Sequence, residues 1–390
     1  MATLLPSHIR KVGPRNFLGW YLLYCFAGLV LAAPAQSEAP GQNSNPNAPV
    51  VIPPDTQPQP QPQPAVQMQS SQDIWDRWGI QKVSENDDWT RHFRIGAMVG
   101  FNISANFSTK GTFNISKPAG VYDNGYVLTD NSGNAFGHTG NFGYNSPSQL
   151  SGSSLTMQNT TSYATSGSSE ESGSAFPGFD MAYGGNIWDW GRARIGWELG
   201  FGLLPINITG NSSMSATVSQ TTYTFNTGGV VIPGAPYQGG FNRQGEPTIV
   251  YLPTGSSTNT STETITGSST LDVMLYTVRL GPSVYWDLNE DWGLSAGVGP
   301  AVGIVSGNLK YNDTVPTSSV PSKGQIDGTD VVYGGYVNAS LMYHVEQNGD
   351  LYLGVQYMSL GDATISGGGR EGRLNLGGQV YITAGINWPF

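Results

Sequence analysis

The final stretch of the chain, 380–390, constrains the fold more than any other part of the sequence. Apolar residues occupy every second position, and polar or small residues fill the positions between them. The apolar positions are Val380, Ile382, Ala384, Ile386, Trp388 and Phe390. Because successive side chains of a β-strand point to opposite faces, the stretch predicts a strand with one continuous apolar face.

This pattern resembles the C-terminal strand of bacterial outer-membrane β-barrel proteins. In that family, a terminal Phe after alternating apolar residues is read by the machinery that inserts barrels into the membrane. The resemblance implies a transmembrane barrel in the cell outer membrane of a Gram-negative-type bacterium, with outer-membrane lipid and the insertion machinery as partners. Over 91–390 the chain is similar to small, porin-like barrels of the OmpA/OmpX-like kind.

The composition fits such a barrel and argues against other classes. Charged residues make up 11% of the chain, against about 25% in soluble domains. The mean hydropathy is slightly negative, which argues against a helical membrane protein. The net charge of −10 makes nucleic acid an unfavourable partner. A barrel needs apolar residues towards lipid, polar residues in the lumen and polar outer loops, and this mixture supplies them.

The N-terminal segment 1–35 has the organisation of a signal peptide. A basic region precedes an apolar run over 17–31, and a small-residue motif ends at Ala35. We expect cleavage after Ala35 and export, the alternative being an uncleaved anchor. Cys25, the one cysteine of the chain, lies between aromatic residues inside the apolar run, which argues against a lipoprotein signal. The mature chain would have no disulfide.

Two segments separate the signal peptide from the barrel domain, 91–390. Residues 36–70 are rich in Pro and Gln and predict a disordered periplasmic linker, either a featureless tether or a spacer that touches the cell wall. Residues 71–90 predict a short amphipathic helix or segment with an Ile and two Trp residues on one face.

Alternating apolar residues predict eight strands in the barrel domain. They span about 93–107, 179–188, 192–204, 271–287, 294–309, 331–345, 351–360 and 374–390. The connections near 189, 290 and 348 are short. Long polar connections cover 108–176, 205–270, 310–329 and 361–372. Short periplasmic turns that alternate with long outer loops are typical of transmembrane barrels. The predicted fold is therefore all-β, an up-and-down antiparallel barrel whose last strand closes against the first.

The strand count has an alternative, because 205–225 and 248–270 keep partial alternation. These segments either extend the third and fourth strands beyond the membrane as a protruding hairpin or add membrane strands, giving ten to twelve. We prefer the extension, since neither segment has the sustained apolar face of about 9–11 residues that spanning requires.

Aromatic residues predict which end of the barrel faces the periplasm. A group of them lies beside the short turns or at the C-terminus, namely Trp188, Trp190, Trp286, Trp292, Trp388 and Phe390. Indole rings favour membrane interfaces, so we expect a periplasmic aromatic girdle. The alternative is that Trp residues accompany the turns of a soluble β-protein.

Few charged residues occupy strand positions whose side chains are predicted to point into the lumen. They are Arg94, Arg194, Glu198, Arg279, His344 and Arg373. Glu198 and Arg279 lie at similar heights on neighbouring predicted strands, which predicts an ion pair in a lumen just wide enough for side chains. The pair is either structural, because buried charges need partners, or a gate for a narrow conductance.

The sequence contains no catalytic, metal or cofactor motif. Among the mature His residues only His138 lies in an outer loop, with Asp123 and Asp130 nearby in sequence. We therefore expect a non-enzymatic surface-interaction or envelope-structural barrel, with a possible extracellular ligand at the loops 108–176 and 205–270. The first alternative is a small porin for polar solutes, and the second is an outer-membrane barrel enzyme.

Overall fold

The computed structural model describes part of the barrel domain and a small part of the segment before it. The described residues are 81–82, 91–130, 137–241, 243, 245–345 and 349–389. The predicted signal peptide, linker and almost all of 71–90 lie outside them, as does Phe390. The chain divides into two units, 1–67 and 68–390, and only the second contains described residues.

The described residues form twenty strands and one short 3-10 turn. The strands are β1 Gln81–Lys82, β2 Arg91–Phe101, β3 Ser104–Asn114, β4 Val121–Tyr122, β5 Gly125–Val127, β6 His138–Thr139, β7 Phe142–Tyr144, β8 Leu150–Ser151, β9 Ser154–Ser172, β10 Phe176–Trp190, β11 Ala193–Asn226, β12 Tyr237–Gln238, β13 Ile249–Val250, β14 Gly255–Asp287, β15 Trp292–Thr314, β16 Ser322–His344, β17 Asp350–Leu360, β18 Ala363–Gly367, β19 Arg370–Asn375 and β20 Gln379–Pro389. No helix in this part of the chain has the length and apolar character needed to cross a membrane.

Antiparallel pairing runs in a cycle through eight of these strands, which we call the ring. β2 pairs with β10 on one side and with β20 on the other. From β20 the pairing continues through β17, β16, β15, β14 and β11 and returns to β10. Trp388 lies opposite Phe93, as expected if the last strand pairs with the first. Each ring strand therefore has a hydrogen-bonded neighbour on both sides.

Beyond the ring the same sheet continues as what we call the upper wall. The strands β11, β14, β15 and β16 run on, while β9, β3, β19 and β18 take the places of β10, β2, β20 and β17. Pairing follows the order β18, β19, β3, β9, β11, β14, β15, β16. β18 meets β16 through a hydrogen bond of 2.9 Å from the Thr364 amide to the Asp330 carboxylate.

The predicted number of eight strands is wrong as a count of elements, and so is the alternative of ten to twelve. Two predicted strands are each divided in two, 93–107 between β2 and β3 and 374–390 between β19 and β20, while β9 and β18 form in segments that were predicted as connections. The connections predicted as loops at 108–176 and 205–270 also form strands. Among these additional strand segments, a partial apolar alternation was recognised in the sequence only at 205–225 and 248–270.

The division between β2 and β3 reverses which side chains point inward. Asn102, between these strands, has a φ of 60°, a left-handed conformation that Asn tolerates better than most residues. After it, Ile103, Ala105 and Phe107 are buried in the interior at 5% exposure or less. In an unbroken strand over 93–107 with Arg94 inward, the odd-numbered Phe101 and these three residues would all point outward. That expectation is wrong for the three, because this turn of the backbone shifts the alternation by one residue.

In the strands that are not divided, the inward face changes from small or polar to apolar at the same level, and the alternation of the backbone continues unchanged. On β11, Leu203 faces outward and Leu204, which is fully buried, faces inward. β11 and β14 then stay paired as far as Thr224 opposite Gly255. The predicted extension of the third and fourth strands as one paired hairpin is therefore confirmed, and its position beyond the membrane stays a prediction.

Three groups of buried apolar side chains fill the structure. The interior cluster lies where the ring meets the upper wall and includes Met98, Leu204, Leu275, Val305, Met358 and Leu360. A second group in the upper wall includes Phe113, Tyr163, Val218 and Ile265. The third holds the cap, which we define as the short strands β4, β5, β6, β7, β12 and β13, and includes Val127, Phe142, Tyr144, Leu155, Phe225 and Ile249.

Candidate functional site: charged residues inside the ring

Four charged side chains meet inside the ring. Arg94 comes from β2, Asp180 from β10, Glu198 from β11 and Arg279 from β14, and each is at most 5% exposed. They face inward because the residues beside them in each strand are large and apolar and take the outer face. We call these four residues the lumen cluster.

Glycine makes room for the cluster. Gly200 lies opposite Arg279 in the β11–β14 ladder. A Cβ atom at Gly200 would lie 2.4 Å from the guanidinium carbon of Arg279, so the arginine side chain occupies the space where another residue would place its own. The Gly-rich inner face of β11 is thus what lets a long charged side chain lie across the lumen.

The cluster consists of two ion pairs with a weaker contact between them. Arg279 donates to Asp180 in a bidentate arrangement, with Nη1–Oδ1 at 2.7 Å and Nη2–Oδ2 at 2.9 Å. Arg94 Nη2 donates to Glu198 Oε1 at 2.8 Å, and Asn338 donates to the same oxygen at 3.3 Å. Arg279 Nε lies 4.0 Å from Glu198 Oε1. Two positive and two negative charges therefore balance in a space closed to solvent.

The structure brings the predicted Glu198 and Arg279 together but gives each a better partner. Sequence reasoning did not name Asp180, although its position between outward Phe179 and Met181 already gave it the inward parity. Arg194 is apart from the cluster and pairs with Asp287 at 2.5 Å near the short connections. The two roles considered for these residues, a structural ion pair and a gate, both stay predictions.

Aromatic residues and a small cavity complete the lumen. The guanidinium carbon of Arg94 lies 5.1 Å from the ring centroid of Tyr352, and that of Arg279 lies 5.9 Å from that of Tyr336. A cavity of about 20 Å³ touches Glu198 and Asn338, enough for about one water molecule. The lumen here is packed with side chains rather than open.

The residues predicted for the girdle and for the final strand lie on the outside of the ring. Trp188, Trp190, Trp286, Trp292 and Trp388 are exposed and lie beside the short connections or near the end of β20. Val380, Ile382, Ile386 and Trp388 are also exposed, while the inward residues of β20 between them are mostly buried. Ala384 shares their outer face and is exposed. Phe390 lies outside the described residues.

The prediction that the Arg373 side chain points into the lumen is wrong. It lies on β19 rather than on the final strand, points outward and pairs with Asp362 on the surface. A single strand was predicted from 374 onward, whereas the strand is interrupted at 376–378 between β19 and β20. The inward residues are even-numbered before this break and odd-numbered after it, which is why the parity did not carry over.

A second buried charged group lies in the upper wall and was not predicted. Arg370 contacts Asp313 and lies between aromatic rings, 4.2 Å from the centroid of Phe113 and 3.7 Å from that of Tyr311. Tyr163 donates to Asp313 at 2.8 Å. Burial raises the pKa of Tyr163 to about 12, so its hydroxyl keeps its proton for this bond. These residues are far apart in sequence, and only strand pairing joins them.

The candidate catalytic arrangement in the outer loop is not assembled around Asp123. Its carboxylate contacts Lys117 Nζ at 2.6 Å and accepts hydrogen bonds from the amides of Thr160 and Ser319. None of the hydrogen bonds found for Asp123 goes to His138, which lies on β6. Among the described residues, no group of His, Cys, Asp and Glu could hold a metal ion.

Comparison with known proteins finds similarity only to solved structures. No protein-family model matches the chain, and no curated protein matches it in sequence. Among solved structures, the chain is similar to the attachment invasion locus protein Ail of Yersinia pestis, solved with the heparin analogue sucrose octasulfate. The identity is 10%, the match covers 75% of this chain and 99% of Ail, and the TM-score is 0.21.

Two further solved structures have similar scores. The outer membrane protease OmpT from Escherichia coli is 13% identical, over 77% of this chain and 97% of OmpT, with a TM-score of 0.24. A FadL homologue of Pseudomonas aeruginosa is 13% identical, over 77% and 90%, with a TM-score of 0.18. Likeness at this level carries no argument about the function of this chain, which has to come from its own residues.

Proposed function

We propose that the chain is an integral outer-membrane protein whose ring is an eight-stranded transmembrane barrel with a closed lumen. It acts through contacts made outside the cell by the upper wall and the cap, in a non-enzymatic surface-interaction or envelope-structural role. The signal peptide ending at Ala35 would export it, and the periplasmic girdle and the final strand would face the insertion machinery.

The observation that carries this proposal is the exposed apolar belt of the ring. On β14 the outward residues from Met274 to Trp286 are almost all apolar, whereas the outward Asp272 just above them is polar. Leu353 and Val298, on other ring strands, are 58% and 55% exposed. Soluble monomers rarely expose apolar surface of this extent, and hydrocarbon is the environment that such a belt fits.

The reversal of polarity above the belt supports the same assignment. In the ring the interior is charged and the exterior apolar, while above it the interior cluster is apolar and the outer residues are polar. Lipid explains the first arrangement and water the second, because apolar side chains turn away from water. The ring also leaves no unpaired strand edge in lipid, where an unsatisfied backbone group is costly.

Two layers inside the protein favour a closed lumen over the porin alternative. The lumen cluster fills the ring at the level of the belt, and the apolar interior cluster lies above it with exposures of 7% or less. An ion would have to displace paired charges and then cross a dry apolar layer. The cluster is therefore proposed as a structural element rather than a gate.

We expect planar lipid bilayers containing the purified protein to show no defined unit conductance. The variant Glu198→Gln should be equally silent, because it removes one charge but leaves the apolar layer in place. The measurement is single-channel recording of both proteins at the same protein-to-lipid ratio. Regular steps in the wild type would favour the porin, and steps that appear only in Glu198→Gln would make the cluster a gate.

A further inference from the structure

The cap carries a groove on the solvent side of its four-stranded sheet. Across β4, β5, β7 and β12 the residues Val121, Tyr126, Gly143 and Gln238 form one row. The residues of the opposite face, such as Phe142, pack into the apolar core of the cap. The row therefore faces away from the core, and the groove along it has a volume of about 510 Å³, within the range of small-molecule sites.

Tyr126 lines this groove with its ring against Gly143. A Cβ atom on Gly143 would lie 2.5 Å from Cε1 of the Tyr126 ring, so the ring occupies the space that the glycine leaves free. The Tyr126 hydroxyl donates to the carbonyl oxygen of Gly239 at 2.7 Å, which fixes the far end of the ring. The aromatic ring is thus held in place before any ligand arrives, which reduces the entropy lost on binding.

Amide side chains surround this ring. Asn141, Asn145 and Gln238 all line the groove. Their side-chain amides make no hydrogen bond to the residues that the structure describes, whereas the backbone of Asn141 and Asn145 is bonded within the cap. Each amide offers both donors and an acceptor, so together they suit a ligand that carries many hydroxyl groups.

The groove has no net charge to offer. Asp123, which lines it, is bound to Lys117, and the nearby Arg243 and Glu246 pair with each other at 3.3 Å. Burial, with a further contribution from Glu246, raises the pKa of Tyr126, so this hydroxyl stays neutral. An anionic ligand would find no unpaired cation among the lining residues, and a cationic ligand no unpaired carboxylate.

We propose that this groove binds a neutral oligosaccharide. The C–H face of one sugar ring stacks on Tyr126, as apolar groups do on a rigid aromatic face. The amides of Asn141, Asn145 and Gln238 exchange hydrogen bonds with the sugar hydroxyls. The inference gives a ligand class to the surface role and rests on the proposed function for the outward position of the cap.

The test uses the full-length protein in detergent micelles, with chitohexaose and laminarihexaose as neutral probes and a heparin-derived hexasaccharide as the anionic probe. Binding is measured by titration calorimetry and by saturation-transfer NMR. We expect at least one neutral probe to bind, and Tyr126→Ala to weaken it at least about tenfold, as when an aromatic anchor is truncated.

Two further variants separate the groove from general damage. Gly143→Ala removes no ligand contact but displaces the Tyr126 ring, and it should also weaken binding. Tyr333→Ala, at an exposed tyrosine on the outside of the ring, should leave the affinity unchanged. All variants should keep the shift in gel mobility on boiling that marks a folded barrel.

Failure of both neutral probes to bind would overturn the site, as would equal affinity in Tyr126→Ala. Tighter binding of the anionic probe would overturn the neutral class. The same neutral probe, labelled, is then offered to intact cells. Binding to purified protein but not to cells would uphold the groove and contradict the outward orientation in the proposed function, so the two failures are distinguishable.

Discussion

Replacing Asp180 by Ala is expected to lower the free energy of unfolding by about 3–5 kcal/mol, the usual cost of leaving one charge of a buried pair without its partner. Arg279 is 1% exposed and loses both of its short bonds in this variant. Glu198, at 4.0 Å, is already engaged by Arg94 and replaces Asp180 only in part. Urea unfolding in lipid bilayers, followed by gel mobility, measures the loss.

The chain offers a matched control for this change. Asp272 pairs with Lys310 at 3.1 Å on the outside of the wall, and both side chains are about half exposed. Asp272→Ala should therefore cost at most about 1 kcal/mol. The double variant Asp180→Ala/Arg279→Met should recover much of the loss, since it removes both charges. Equal stability of Asp180→Ala and Asp272→Ala would mean that Arg279 is not buried as described.

The second large effect is expected on the outer face. Val298 is 55% exposed, lies opposite Val337 and is flanked along its strand by the apolar outward residues of β15. Val298→Arg should lower stability by about 2–4 kcal/mol, because it puts a charge near the middle of the belt that we propose contacts lipid. Folding efficiency and urea unfolding in phospholipid vesicles provide the measurement.

Thr217→Arg is the matched control, because it places an arginine on the outer face of the sheet outside the apolar belt. Thr217 also points outward on a paired strand, but in the upper wall, and is exposed. In water an arginine at such a position should change stability by no more than about 0.5 kcal/mol. If the two arginines cost the same, the belt does not contact lipid.

Much of the ring could be predicted from single strands. The alternation in β20 predicts a strand with one apolar face, and the structure pairs it on both sides with its outer residues exposed. Such predictions succeed because a strand with one apolar face and one polar or small face shows the two-residue period in its own sequence. The short connections were read correctly for the same reason, since they separate two strong alternations.

The upper wall was harder to predict because its polarity is reversed and its strands break. Ile103 continues the alternation of β2 without interruption, and nothing in the sequence beyond Asn102 marks the change of face. Strands such as β9 consist mainly of Ser and Thr, with few apolar residues to reveal a face. Their positions follow from pairing with distant strands, which a local pattern does not contain.

The candidate site was predictable in kind but not in its partners. The alternation of side chains predicted that Glu198 and Arg279 point into the lumen at similar heights. In the structure, Arg279 Nε lies 4.0 Å from Glu198 Oε1. Which carboxylate Arg279 prefers depends on how β10 is staggered against β11, including a register shift between Asn186 and Trp188. The groove around Tyr126 joins residues from four short strands, and the sequence predicted no more than a ligand somewhere in the loops 108–176 and 205–270.

The most direct test of the central claim is the gel mobility of the protein in the membrane fraction before and after boiling. A closed barrel keeps its fold in detergent at room temperature and unfolds on heating. We predict recovery in the outer-membrane fraction and two distinct mobilities, one for the unboiled and one for the boiled sample. A single mobility, together with recovery in the soluble fraction, would contradict the proposal of a transmembrane barrel.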